Sequence, residues 1–547
     1  VINTDNYHGL ITIRDLFLNQ IGSIYTDPPY NAKSSEIIYK NTFKHSSWLS
    51  LMNNTLSLSK DFLSQSGSIN IAIDDYEYKN LHPLIESIYG GENFIANLPV
   101  IHNPRGRNDD KFYGTSHEYM LVFGKEKEFT TFNNFSYSKE DLKQYNKEDS
   151  FSKYAETSFM RTGNNSDRIT RPNLFYSIFY NPITKDLSLK KLSNDYVELL
   201  PVNSSNEEKT WRWGKDTFLE KKETELFVKE VGGELRLYKK RRLVDSGKKP
   251  KTIWHDPRYD ASANGIMVLK ALFGRQIPFS YPKALGTVID AIHISSTKND
   301  VVLDFFPGSG TTFHSIQVLN NQDDGHRKCI LTEQGAYTYS VIIPRIKKIA
   351  YTFDWKDGKP KDDKMNGLGV FFKYQRLEQY EEALENIAFN ASEDAVQKAL
   401  EFDQYIPKYF LEFETEGSQS LVNTAAMQDP WDYKLKVWDG FTYDTEQAVD
   451  LVETFNYLIG LHMQKCITKE INGKKYQFVY GHNNANKNIL VVWRSVKDWS
   501  LEDYKADAAA LKEEFKAFAY DLLYINDQAH IEGYQPIEEV FRNKMLS

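Results

Sequence analysis

Two short stretches hold residues whose types and spacing could do chemistry. In IYTDPPYNAKSS (24–35) an apolar pair runs into Asp27, Pro28, Pro29 and Tyr30. Proline removes a backbone donor and fixes φ, and the residue before it is driven to extended geometry. These four residues are expected to form a stiff ledge at a strand end, offering a carboxylate, carbonyls without their usual hydrogen-bonded neighbours, and a ring. Such acceptors suit an amino group. In VVLDFFPGSGTT (301–312) an apolar strand ends at Asp304, and Gly308 and Gly310 turn the chain into a helix. Glycine lets the backbone approach a ligand closely. Glu333, in CILTEQG at the end of the next strand, is placed to accept hydroxyl hydrogen bonds from a ribose. That is the general layout of a dinucleotide-type site. The third glycine of the dinucleotide fingerprint would fall at Phe313, so that fingerprint fails. Alone, the stretch is a weak signal, and a Gly-rich strand–helix turn is the commoner reading.

The elements that must position these residues read as α/β in two blocks. Residues 1–127 give a strand at 21–27, a helix at 47–66, a strand at 68–74, a helix over LHPLIESIYG stopped by Gly90 and Gly91, and a strand at 118–125. Residues 256–360 give the helix GTVIDAIHISS, the strand DVVLDFF, the helix TTFHSIQVLNN and the strand KCILTE. Between them, 128–255 breaks into polar, aromatic and basic pieces. After a polar Lys/Asp/Gly linker, 361–547 is expected to hold an acidic helix pair around 376–405 and a terminal piece with strands KYQFVYG and NILVVWR.

Composition narrows the class. The 547 residues exceed one ordinary domain, and 41% hydrophobic with 14% aromatic residues allow sizeable cores. No run of about 18 apolar residues occurs, so no membrane span is expected. The start, VINTDNYHGLITI, is neither a signal peptide nor a normal initiator Met, which predicts that a longer natural protein begins before this point. Only Cys329 and Cys466 are present, which excludes a disulfide framework or cysteine zinc site and fits a reducing cytoplasm. The histidines lack ligand spacing, so no metal is expected. The net charge of −8 argues against a uniformly basic nucleic-acid binder, but residues 229–258 hold ten Lys/Arg against four acids. A localised phosphate-facing surface would look like that.

Together, the two stretches resemble the amino-methylating DNA methyltransferases that use S-adenosylmethionine. In that family a D/N/S-P-P-Y/F/W ledge is the catalytic motif and D-x-F-x-G-S-G-T-T the cofactor motif, here Asp304, Phe306, Gly308, Ser309, Gly310, Thr311 and Thr312. The catalytic motif comes first, as in the family's permuted beta class. TDPPYN, FKHSSWLS, GSINIAIDD, IWHDPRYDASANG, FSYPKALGTVIDAI and RIKKIAYTFDWKDGKPK narrow the resemblance to the modification (Mod) subunit of type III restriction–modification systems. The resemblance runs through the chain and is weakest in 128–250. It implies a Rossmann-like methyltransferase fold, a mostly parallel mixed sheet with helices on both faces, circularly permuted. A target-recognition region (128–255) would interrupt the catalytic half (1–127) and cofactor half (256–360), and 361–547 would serve assembly. It implies methyl transfer to adenine N6 of a base flipped from double-stranded DNA, a homodimer, and a helicase–nuclease restriction partner.

The same resemblance assigns further residues. Lys283 in FSYPKAL matches a short motif that helps bind the cofactor, although here proline precedes the lysine where the family often has Lys-Pro. Asp5, with Asn6 in NTDNYHGL, resembles an acidic motif facing the cofactor's adenine side, the competing reading being a helix N-cap. His117 and Glu118 are either near the flipped base or a packed pair. Arg105, Arg107, Arg168, Arg171, Arg241 and Arg242 are candidate DNA contacts, since arginine reads guanine or grips phosphate. Glutamine or RNA methyltransferases share a Pro-Pro-aromatic ledge, but more often with Asn first and the cofactor motif upstream. The same motifs would also serve a stand-alone methyltransferase or a non-catalytic DNA-recognition subunit.

Overall fold

The computed structural model describes residues 1–31, 44–107, 111–243, 247–277, 279–379, 382–383, 386, 427–438, 442–443 and 445–546. The chain divides into two units, Val1–Asn133 with Lys251–Ser547, and Asn134–Pro250.

The first unit is organised by a six-stranded sheet. Helix α1 (Asn6–Phe17) precedes β1 (Ile21–Thr26), and α2 (His45–Phe62) precedes β2 (Leu63–Ile73). Helix α3 (Asp75–Tyr89) leads to β3 (Phe94–Ile101) and β4 (His117–Gly124). After the second unit come α4 (Leu285–Ser295), β5 (Val301–Asp304), α5 (Thr311–Asp323), β6 (Lys328–Leu331) and α6 (Ile343–Tyr351). The strand order is β6-β5-β1-β2-β4-β3, with β6, β5, β1 and β2 parallel and β4 antiparallel to both its neighbours. β5 and β1 pair directly, Leu303 opposite Ile24, so the glycine turn and the proline ledge leave the same sheet edge side by side.

The central strands are apolar runs because both faces are covered. In β1, Ile24 joins Trp48, Met52, Leu56, Leu81 and Ile85 in one buried cluster formed with α2 and α3. Its neighbour Ser23 pairs hydroxyl to hydroxyl with Ser295 of α4 at 2.6 Å. Successive strand residues point to opposite faces, so helices lie on both sides. α3 starts at Asp74, whose carboxylate accepts the Tyr76 N–H, and stops at Gly90 with φ 92°. The sequence misses β3, whose FIANLPVI carries an internal proline that demotes a strand reading.

The 361–547 region holds a five-stranded sheet ordered His462–Ile471, Lys474–His482, Asn488–Arg494, Leu522–Ile525 and Gln535–Pro536. It is tied to α1: the Asn484 amide donates to the Asp15 carbonyl at 2.7 Å, and Lys544 pairs with the Asp15 carboxylate at 2.7 Å. Gln375–Arg376 adds in parallel to Ile2–Asn3. Most of the acidic helix pair expected around 376–405 lies outside the described residues.

The second unit is built on a four-stranded sheet containing the hairpin Leu226–Val231/Glu234–Arg242, a three-stranded sheet, and the helix Lys215–Glu225. Phe159, Ile178, Trp211 and Phe218 centre its core. Its aromatic residues, unreadable as periodic elements in sequence, pack as stacked or edge-on pairs such as Phe159–Trp211 at 5.4 Å.

Among the described residues no helix is long and apolar enough to cross a membrane, and no cluster of three or more His, Cys, Asp or Glu side chains could hold a metal ion.

Candidate active site

The ledge leaves β1 as expected. The Pro29 carbonyl accepts the Trp48 indole N–H at 2.8 Å, which fixes the ledge to α2. Asn31 follows with φ 56°, a left-handed conformation that Asn tolerates, and its amide donates to buried Glu77 of α3 at 2.7 Å. Glu77 also meets His45 at 2.7 Å and the Asn80 amide at 2.6 Å.

Four polar groups converge at the ledge. The Lys283 ammonium lies 3.3 Å from Asp27 Oδ1 and donates to Glu118 Oε2 at 2.5 Å and to the Tyr30 hydroxyl. That hydroxyl donates to the same Glu118 oxygen at 2.9 Å. Burial pushes the Asp27 carboxyl up to about 6, with Lys283 opposing the rise and Glu118 adding to it. Burial also pushes Glu118 upward, but Lys283 and His102 outweigh it and its carboxyl lies below the ordinary range. Burial, Asp27 and Glu118 hold the Tyr30 phenol neutral. Beside the ledge opens a cavity of about 420 Å³ lined by Tyr30, Asp74, His102, Arg107, Thr115 and His117, a volume in the range of small-molecule sites.

The glycine turn lies on the adjacent strand. Asp304 Oδ1 accepts the Phe306 N–H at 3.0 Å and Oδ2 the Thr312 hydroxyl at 2.5 Å, so the acid braces the turn from within. Gly308 (φ 51°) and Gly310 (φ 77°) occupy left-handed conformations, and a Cβ on Gly308 would come within 3.2 Å of the Phe279 ring. Arg345 of α6, fully buried, donates to the Ser309 carbonyl and hydroxyl at 3.0 Å each and to Thr311 Oγ1 at 3.1 Å. Glu333 sits buried just beyond β6, with Oε1 accepting the Gly335 N–H at 2.9 Å. Its carbonyl accepts the Asn3 amide at 2.8 Å, which brings the chain's first residues to this end of the sheet. The left-handed glycines of the turn and the buried acid one strand away are the arrangement expected around a nucleoside-containing ligand.

Other expected residues fall differently. Lys283 lies on the Asp27 carboxylate rather than over the glycine turn. Asp5 takes the N-cap reading, its Oδ1 accepting the N–H groups of Tyr7 and His8 at 3.0 and 3.3 Å. Asn6 anchors the other motif by donating to the Phe305 carbonyl at 2.5 Å. Of the candidate DNA contacts, Arg105, Arg107 and Arg171 are exposed. Arg168 is exposed but held bidentately by Glu208 at 2.9 and 3.0 Å, and Arg241 donates to Gln144. Arg242 is a correction: Asp149 and Glu225 take up its guanidinium at 2.7 to 3.0 Å, so it braces the hairpin's own sheet. Glu77 and Arg345, which orient the two motifs, carry no sequence signal because nothing local distinguishes them from surface charges.

A DNA methylase family, the N6/N4 methyltransferases, matches residues 21–343. The Mod subunit of the type III restriction–modification enzyme EcoPI from Escherichia phage P1 is 31% identical over 376 residues, covering 61% of this chain and 57% of that protein. The type II methyltransferase M.KpnI from Klebsiella pneumoniae is 33% identical over 320 residues, covering 56% and 74% respectively. The StyLTI Mod subunit from Salmonella typhimurium is 27% identical over 360 residues, covering 60% and 51%. The chain thus spans somewhat over half the length of these type III relatives. With both motifs on neighbouring strands of the expected sheet and the match extending over more than half of its length, the chain belongs to the N6/N4 DNA methylase family.

Proposed function

We propose that the chain is a site-specific DNA methyltransferase acting on adenine N6, with S-adenosylmethionine as methyl donor. The observation that carries this reading is the pairing of β1 with β5, which puts the Asp27 ledge and the Gly308–Gly310 turn at adjacent carboxyl ends of one sheet. Ligands of open α/β sheets bind at that edge. Gly308, Ser309, Gly310, Thr311, Phe306, Asp304 and Glu333 would hold the cofactor, which when bound supplies an electrophilic methyl group on a sulfonium.

An exocyclic amine is a poor nucleophile because its lone pair is delocalised into the ring. Accepting its two N–H groups at the Asp27 carboxylate and the Pro28 carbonyl draws that nitrogen toward tetrahedral geometry and frees the lone pair. These hydrogen bonds strengthen as positive charge develops on nitrogen, which stabilises the transition state selectively. Asp27 then takes the proton that nitrogen sheds. Tyr30 stacks on the base, which must leave the duplex to reach the cavity beside it. Arg107, which lines that cavity, Arg105 close to it in sequence, and Arg168, Arg171 and Arg241 in the second unit would contact DNA, making 128–255 the recognition part.

The similarity to Mod subunits supports a type III-like restriction–modification system; the wider proposal is a cytoplasmic homodimer with a helicase–nuclease restriction subunit as partner and 361–547 serving assembly. The similarity to M.KpnI favours a second reading, a methyltransferase without restriction partner. Tritium transfer from labelled S-adenosylmethionine to unmethylated genomic DNA, followed by methylation-sensitive sequencing, tests the activity and gives the recognition sequence. Cofactor binding without transfer to any DNA would leave a recognition subunit instead.

A further inference from the structure

Lys283 and Glu118 are used neither by the ledge's grip on an amine nor by the glycine turn, yet Lys283 pairs with both Asp27 and Glu118. Lys283 precedes α4, whereas Glu118 stands in β4. Their side chains are 14% and 6% exposed and meet at 2.5 Å, closer than the 3.3 Å between Lys283 and Asp27. One ammonium therefore serves two carboxylates, with the Tyr30 hydroxyl bridging it to Glu118. A buried charge without a partner costs several kcal/mol, so such a triad is either scaffolding or a setting on the carboxylate facing the substrate.

The surroundings favour the second. The other groups facing Asp27 are Tyr30 on the ledge, Tyr25 on β1 and Asp304 at the end of β5. Those facing the Lys283–Glu118 pair are Asp74 ahead of α3 and His102 after β3. Asp74, Asp304 and Glu118 are acids, and burial lowers the charged fraction of His102. Lys283 is then the principal cation opposing protonation of Asp27.

We propose that Lys283 and Glu118 are positioning residues that act on Asp27 with opposite signs, the ammonium holding the substrate-facing carboxylate charged and Glu118 drawing that ammonium back toward Tyr30. The proposal rests on the reading of Asp27 as the amine acceptor. Lys283→Met removes the opposing cation, so Asp27 protonates at higher pH. Glu118→Gln removes an adverse charge and releases Lys283 to Asp27, so Asp27 protonates at lower pH. Simple loss of packing would not move the two in opposite directions.

The experiment is the pH dependence of kcat/KM for methylation of unmethylated genomic DNA by the full chain, between pH 5 and 9. The acid limb should move up in K283M, down in E118Q, and return close to wild type in K283R. Carbon-13 NMR titration of labelled aspartate carboxyls, with D27N for assignment, reads the same midpoints without turnover. Calorimetry with S-adenosylmethionine checks that each variant is folded. If K283M does not fold, E118Q decides: a downward shift supports the pair and an unchanged or upward limb overturns it. Wild-type protein that transfers no methyl group would overturn the assigned reaction, whereas active variants whose limbs stay put overturn the pair alone.

Discussion

The side-chain amide of Asn31 donates to Glu77 Oε1 at 2.7 Å, joining the residue that ends the proline ledge to the first turn of the helix after the next strand. Glu77 is fully buried and takes further contacts from His45 and Asn80. Glu77→Ala removes the acceptor shared by the buried Asn31 amide and the partly exposed His45 and Asn80, at a cost of about 1–3 kcal/mol. We expect a corresponding fall in unfolding free energy in urea, with methylation reduced more than cofactor affinity. Unchanged stability would show that the ledge holds its shape without this anchor.

Asp27→Ala should lower methyl transfer by about 10²–10³-fold, the usual effect of removing one transition-state hydrogen-bonding group, and leave S-adenosylmethionine affinity nearly intact. Rate and calorimetric measurements on the same preparation separate the two. Retention of more than about a tenth of the rate contradicts the assigned role.

Gly308→Val and Gly310→Val force a β-branched residue into left-handed backbone, at φ 51° and 77°, costing at least about 1–2 kcal/mol. At position 308 the added side chain would also press on Phe279. Cofactor affinity should fall tenfold or more by calorimetry. Equal affinity would mean the ligand lies elsewhere.

Burial pushes the Asp304 carboxyl from 3.8 up to about 8, against the opposing hydrogen bonds from Thr312 and the Phe306 backbone. The folded chain thus binds this proton more tightly than the unfolded chain. The stability it contributes is complete below pH 3.8 and lost as the pH rises to about 8. Asp304→Asn cannot ionise, so the melting temperature of the variant relative to wild type should be higher at pH 8.5 than at pH 5.5. A difference independent of pH would sink this account.

A chain ending at residue 360 loses the strand Gln375–Arg376 beside Ile2–Asn3 and the contacts of Asn484 and Lys544 on Asp15. If it remains folded by circular dichroism, it should sediment as a monomer, and the full chain should sediment as a dimer. A truncated chain that still dimerises and methylates as the full chain does removes the assembly role.

The sequence alone determined the two motifs and most of the strands beneath them, because their information is local. Prolines stiffen Asp27-Pro28-Pro29-Tyr30, glycines open the turn at Gly308 and Gly310, and apolar runs such as those of β1 and β5 follow from burial on both faces. Tertiary structure decided which charges meet. Lys283, Glu118 and Asp27 come from three separate stretches, and only the sheet order β5-β1-β2-β4 brings them within hydrogen-bonding range. The same holds for Arg345 under the glycine turn and for Arg242, whose surroundings in sequence are basic but whose partners in space are Asp149 and Glu225. A charge's role depends on its burial and on the charges facing it, and both are set by packing between segments distant in the chain.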